Sequence, residues 1–166
     1  ADKTLIFKSP DHTAKIALIR EVFPDARFVH VHRHPFKVYQ STRWMETTTQ
    51  PMFAYQRQGE AELDDFIIWR YKRMYEAYFE DTQALEPGVL ADVRFEDLVA
   101  DPLGEVERIH DELDLSDFEQ CKPRLQQYVR QQSSYSRNEY VDLEPQMRER
   151  LADEWQFAFR RFGYTC

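Results

Sequence analysis

Phe23-Pro24-Asp25-Ala26-Arg27-Phe28-Val29-His30-Val31-His32-Arg33-His34-Pro35 is the stretch on which the reading of this chain turns. Pro24 and Asp25 favour a turn, Phe28, Val29 and Val31 make residues 27–32 a strand, and Pro35 suits the first turn of a helix, where its missing N–H is not needed. The segment therefore predicts turn, strand and helix in succession. Arg33 falls at the strand-to-helix junction, where free backbone N–H groups and the helix dipole already favour an anion.

Working outward, residues 4–8 read as a short buried strand, and Ser9-Pro10-Asp11 as a turn and helix start. The helix that follows is expected over residues 12–22, with Ile16, Leu18, Ile19 and Val22 approximating one stripe. After the break at residues 50–59, residues 63–85 form a long helix rich in aromatics, among them Phe66, Trp69, Tyr71, Tyr75 and Tyr78. Pro87-Gly88 turns the chain into a third strand at residues 89–95. Helices are expected over 102–113, 116–131 and 144–162, around a Ser/Asn/Tyr-rich connection at residues 133–142. Strands separated by helices imply a parallel sheet with right-handed crossovers, the α/β class, here with a helix-rich C-terminal half.

The 166 residues fit one domain. With 22 basic and 30 acidic residues the formal charge is −8, which argues against nucleic acid as a partner and makes any anion site local. Two cysteines, Cys121 and Cys166, give no disulfide framework, and no apolar run approaches the ~20 residues that span a bilayer. A cytoplasmic location is the expectation, with no membrane segment in this chain. An amino-terminal anchor outside it is compatible with that, because the chain opens at Ala1 directly on an apolar run and reads as part of something longer.

In α/β sheets ligands lie beyond the carboxyl ends of the strands. The three ends here read Lys8-Ser9-Pro10-Asp11-His12, Arg33-His34-Pro35 and Arg94-Phe95-Glu96-Asp97. Cations at these junctions point to a phosphate or sulfate site. Ser41 can add a hydroxyl donor from the helix that Pro35 starts; the competing reading pairs Arg33 with a carboxylate and makes Ser41 a small packing residue. His30, His32 and His34 alternate as metal ligands on a strand do, but no acid is evidently paired with them, so no metal site is expected. Glu96 and Asp97 are expected to cap the short helix that follows. Trp44, Trp69 and Tyr71 are read as core packing rather than an acceptor pocket.

Residues 5–12, 23–35 and Ser41, together with Val93-Arg94-Phe95-Glu96-Asp97-Leu98, resemble sulfotransferases that use 3'-phosphoadenosine-5'-phosphosulfate (PAPS). Looser similarity continues through Tyr135-Ser136-Arg137-Asn138-Glu139-Tyr140 to Phe162-Gly163-Tyr164. The resemblance implies a partial three-layer, P-loop-like fold, with PAPS as co-substrate and 3'-phosphoadenosine-5'-phosphate as product. It implies that Arg33 and Ser41 hold the 3'-phosphate, that Phe95 lies near the adenine, and that Arg137 is a second 3'-phosphate ligand, unless it is a solvated loop arginine. Lys8 would reach the sulfuryl group, where a fixed ammonium stabilises the charge that transfer develops. His12 is the candidate base for the acceptor proton. Many members carry that histidine two residues after the lysine, where this chain has Pro10, so an acid from elsewhere is the alternative base.

The glycines, at 59, 88, 104 and 163, form no phosphate-cradling loop. The expectation is therefore one truncated sulfotransferase domain over residues 1–166 that lacks the 5'-phosphosulfate loop and is inactive alone. The acceptor would be a hydroxyl or amine on a carbohydrate or small molecule. A missing strand would leave an open sheet edge and an uncovered apolar face, favouring a homodimer or association with the absent piece. The alternative function is a non-catalytic nucleotide-binding or protein-interaction module on the same fold.

Overall fold

A computed structural model describes residues 4–53, 59–132 and 138–166. The chain opens with a 3-10 turn, Pro10–Ala14, and runs through α1 (Ile16–Val22), β1 (Phe28–His32), α2 (Pro35–Phe53), α3 (Glu60–Thr82), β2 (Leu90–Arg94), α4 (Phe95–Ala100), α5 (Pro102–Glu112), α6 (Phe118–Gln132), α7 (Pro145–Glu154) and α8 (Gln156–Arg161). This is an α/β fold with a short sheet and many helices. Among the described residues no helix is long and apolar enough to cross a membrane.

The sheet is β1 and β2 in parallel, registered so that His30 lies beside Asp92 and His32 beside Arg94. Gly88, at φ 85°, makes the left-handed turn into β2 that other residues adopt only with strain. One face carries Phe28, His30, Asp92 and Arg94; the other carries Val29, Val31, Ala91 and Val93. Ala91 and Val93 are fully buried against Ile109 and Leu113 of the α5 end. Among the described residues nothing comparable covers β1, and Val29 and Val31 are 48% and 47% exposed.

The inward side of β1 is thus histidine and the open side valine, the reverse of a simple hydrophobic reading. Polar partners explain it. His30 Nδ1 lies 2.7 Å from Asp92 Oδ1 and its Nε2 3.2 Å from the Tyr75 hydroxyl, while Tyr78 donates to the same Asp92 oxygen at 2.6 Å. A buried imidazole so satisfied avoids the penalty of an unpaired polar group.

The main core lies between α2, α3, α7 and α8. Leu63, Ile67, Tyr71, Tyr75 and Tyr78 recur along α3 at three- and four-residue spacing and are all buried. Trp155, at the break between α7 and α8, is fully buried, stacks on Tyr71 with centroids 4.0 Å apart, and donates its indole N–H to Ile68 O at 3.3 Å. That break divides the single helix expected over residues 144–162. Tyr71 is core as expected, but Trp44 and Trp69 are not, each more than half exposed.

Residues 4–9 depart from the expectation most. They form no strand, and Ile6 is 89% exposed. A strand needs a hydrogen-bonded neighbour, and among the described residues β1 pairs only with β2. The helix expected over 12–22 likewise begins as the 3-10 turn capped by Ser9, whose Oγ accepts from Asp11 N–H, and becomes α-helical only at Ile16.

Candidate functional site

Because His32 pairs with Arg94 in register, the next residues, Arg33 and Phe95, emerge side by side beyond the carboxyl ends of the two strands. The structure brings them into contact: the Arg33 guanidinium carbon sits 4.7 Å from the centre of the Phe95 ring. A guanidinium on an aromatic face keeps its edge of N–H donors available. Among the described residues no carboxylate pairs with Arg33, whereas Arg43, Arg70, Arg94, Arg108 and Arg150 each have one. Among the described residues, then, the alternative in which Arg33 is neutralised by an acid finds no partner acid.

The two junctions are tied together by Glu96. One carboxylate oxygen accepts the His34 backbone N–H at 3.2 Å, and the other accepts the Tyr164 hydroxyl proton at 2.8 Å. Glu96, in the first turn of α4 where its carboxylate also meets its own backbone N–H, is thus a cross-link between the start of α2, the start of α4 and the C-terminal residues in addition to the helix-start role expected of it. Tyr164 Oη gives its only proton to Glu96, so its 3.0 Å contact with His32 Nδ1 has the imidazole as donor. The Arg94 guanidinium covers the Tyr164 ring at 4.6 Å. His34 Nε2–H donates to Thr165 O at 3.1 Å, leaving Nδ1 to accept the Phe36 N–H at 3.3 Å.

These contacts fix protonation. Burial alone would raise the Glu96 carboxyl, but the bonds from Tyr164 and His34 outweigh it and hold the group below its ordinary value. Asp92 behaves alike: burial opposes ionisation and the bonds from His30 and Tyr78 overcome it. His32 is pushed down by burial and by neighbouring His30, and His34 by burial, so both favour the neutral form. Both ring nitrogens of His30 and His34, and Nδ1 of His32, are directed at protein partners, and among the described residues no cluster of His, Cys, Asp or Glu is arranged to hold a metal. Asp92 is the acid partner of His30 that the sequence did not reveal; only the parallel register exposes it.

Ser41, on α2, accepts a hydrogen bond from the Tyr140 hydroxyl at 3.1 Å. Beside it the Gln40 amide donates to Val141 O at 2.6 Å, so the segment around Tyr140 is docked on α2 next to Ser41. Arg137 lies outside the described residues. Lys8 is exposed, and half-buried His12 sits in the 3-10 turn, which packs on α3. Among the described residues no contact joins either of them to Arg33 or Phe95. Sequence reasoning gave Tyr140 and Tyr164 no role at this site and, for Glu96 at the strand end, missed the contacts it makes with His34 and Tyr164. Each makes its contact across more than sixty positions, which no local pattern encodes.

A model of the sulfotransferase family matches residues 1–120. Curated proteins of Mycobacterium bovis and Mycobacterium tuberculosis, both named omega-hydroxy-beta-dihydromenaquinone-9 sulfotransferase Stf3, are 34% identical over 162 residues, covering 98% of this chain and 42% of theirs. The chain thus spans well under half the length of the curated relatives it matches. The crystal structure of sulfotransferase STF9 from Mycobacterium avium superposes with a TM-score of 0.79 over 96% of this chain and 42% of that one, at 17% identity, and shares the fold. Taken with the ordered junctions at Arg33 and Phe95, the family match places this chain in the sulfotransferase family.

Proposed function

We propose that this chain forms the 3'-phosphate side of the nucleotide site in a PAPS-dependent sulfotransferase. The observation that carries the proposal is Arg33: a half-buried guanidinium at a strand-to-helix junction, laid on Phe95 and with no carboxylate partner among the described residues. Such a fork matches a phosphate dianion in shape and charge. Phe95 offers an apolar surface for the adenine, and Ser41 a hydroxyl for the 3'-phosphate. Arg137 is assigned a second contact with that phosphate.

In transfer, the acceptor oxygen forms a bond to sulfur as the bridge between sulfur and the 5'-phosphate breaks, releasing 3'-phosphoadenosine-5'-phosphate. Lys8 balances charge on the transferring group, and His12 takes the acceptor proton. The acceptor class we favour is an alcohol, the group carried in the name of the Stf3 relatives, on a small or lipid molecule. No glycine of this chain stands in a loop that follows a strand and opens a helix, so this chain alone transfers little sulfate and relies on further polypeptide to grip the 5'-phosphosulfate. A cytoplasmic location and a homodimer complete the proposal.

Calorimetric titration of 3'-phosphoadenosine-5'-phosphate tests it. Charge-assisted bonds to Arg33 are worth about 1.5–3 kcal/mol, so Arg33→Ala is expected to weaken binding by roughly 10- to 100-fold. An unaltered affinity rejects the site.

A further inference from the structure

Of the serine and threonine hydroxyls of α2 whose hydrogen bonds are described, Ser41 behaves differently from the rest. Thr47, Thr48 and Thr49 each donate back to the carbonyl four residues earlier, at 2.9, 2.8 and 2.7 Å to Arg43, Trp44 and Met45 O. That is the ordinary resting place of a hydroxyl in a helix. Ser41 makes no such bond among the described residues and instead accepts from Tyr140 at 3.1 Å.

A serine hydroxyl has one proton and two lone pairs. Accepting from Tyr140 orients the oxygen toward the Tyr140 segment and leaves that proton without a partner among the described residues. A phosphate dianion accepts hydrogen bonds and donates none, so a serine contributes to binding it when its own proton is left free to donate. The Gln40 amide, buried and bonded to Val141 O at 2.6 Å, keeps Tyr140 at its post.

We propose, on the reading that Ser41 faces the 3'-phosphate, that Tyr140 is a positioning residue whose hydroxyl holds Ser41 off the helix backbone and reserves its proton for that phosphate. Without the phenol oxygen, Ser41 falls back on Lys37 O as the three threonines do on theirs. Tyr140 thereby sets selectivity for 3'-phosphorylated over plain adenosine nucleotides, although it need not touch the ligand.

The test is a double-substitution cycle by calorimetry in the protein, with 3'-phosphoadenosine-5'-phosphate and adenosine 5'-phosphate as paired ligands. Tyr140→Phe keeps the ring and removes only the hydroxyl. It is expected to weaken the 3'-phosphorylated ligand about five-fold, the worth of one ordinary hydrogen bond, and to leave adenosine 5'-phosphate unchanged. In a Ser41→Ala background it should have no further effect. Equal weakening of both ligands, the same loss in the Ser41→Ala background, or no loss at all overturns the inference while leaving the nucleotide site standing. If the unsubstituted protein does not prefer the 3'-phosphorylated ligand, the 3'-phosphate reading fails and this inference falls with it.

Discussion

Glu96→Gln is the substitution that probes the junction most sharply, because it keeps the side chain's shape and removes its charge. Glu96 accepts two hydrogen bonds, from His34 N–H and from the Tyr164 hydroxyl. Glutamine keeps one acceptor and turns an amide N–H₂ toward the other donor. Reducing one charge-assisted bond to a neutral one costs about 0.5–1 kcal/mol, and losing the second about 1–2 kcal/mol. The Arg94 pair adds little, since its 3.6 Å separation lies at a carboxylate side chain 36% exposed and screened by solvent. The sum is about 2 kcal/mol, or roughly 4–8 °C in Tm for a chain of this length.

Urea unfolding at neutral pH should show that loss with an unchanged slope. The pH dependence follows from the direction of the Glu96 shift, which is downward in the folded state. A depressed carboxyl stabilises above its unfolded value and loses that contribution as pH falls through the folded one. The gap between the native protein and Glu96→Gln should therefore narrow as the pH is taken from about 5 toward 2. A gap below about 0.5 kcal/mol at neutral pH, or one that stays undiminished in acid, refutes the cross-link.

Trp155→Ala, which empties the centre of the core and removes the stack on Tyr71, should cost about 3–5 kcal/mol in chemical denaturation. Asp101 accepts the Gly104 N–H at 3.0 Å as the cap of α5, and Asp101→Ala should lower stability by about 1 kcal/mol, read as a shift in the denaturant midpoint. Burial disfavours the His32 imidazolium, so its ring-proton NMR titration should have a midpoint below 6.5. The folded state then binds fewer protons than the unfolded one across that window, so His32 makes stability rise with pH there; a midpoint above 6.5 contradicts this. Val31→Thr on the open side of β1 should change stability by less than about 0.5 kcal/mol, whereas Val93→Thr, fully buried on the same face, should cost about 1–3 kcal/mol, with both compared by thermal melting.

The features legible in the sequence are those that local chemistry decides. Pro35 opens α2, Pro102 opens α5 beside its Asp101 cap, and the apolar runs at Phe28 and Leu90 become the two strands. Their parallel pairing follows from the helices between them. The misread features depend on distant partners. Leu5, Ile6 and Phe7 have the composition of a strand, but no ladder among the described residues receives them. Val29 and Val31 are apolar, yet Asp92, Tyr75 and Tyr164 draw His30 and His32 inside instead, and no local pattern shows those partners. Trp44 and Trp69 are apolar residues on the exposed sides of amphipathic helices, and composition alone does not assign a face. In the candidate site, the strand-end rule put Arg33, Phe95 and Glu96 at the junctions, while the bonds made by Glu96, Tyr140 and Tyr164 needed the folded chain.

The central claim, that the carboxyl ends of β1 and β2 receive the 3'-phosphate of the nucleotide, is tested most directly by a crystal structure of the protein with 3'-phosphoadenosine-5'-phosphate. The account predicts 3'-phosphate oxygens about 2.7–2.9 Å from the Arg33 guanidinium nitrogens and within hydrogen-bond reach of Ser41 Oγ, with the adenine against Phe95. A nucleotide bound elsewhere, or one whose 3'-phosphate is held without Arg33, would contradict it.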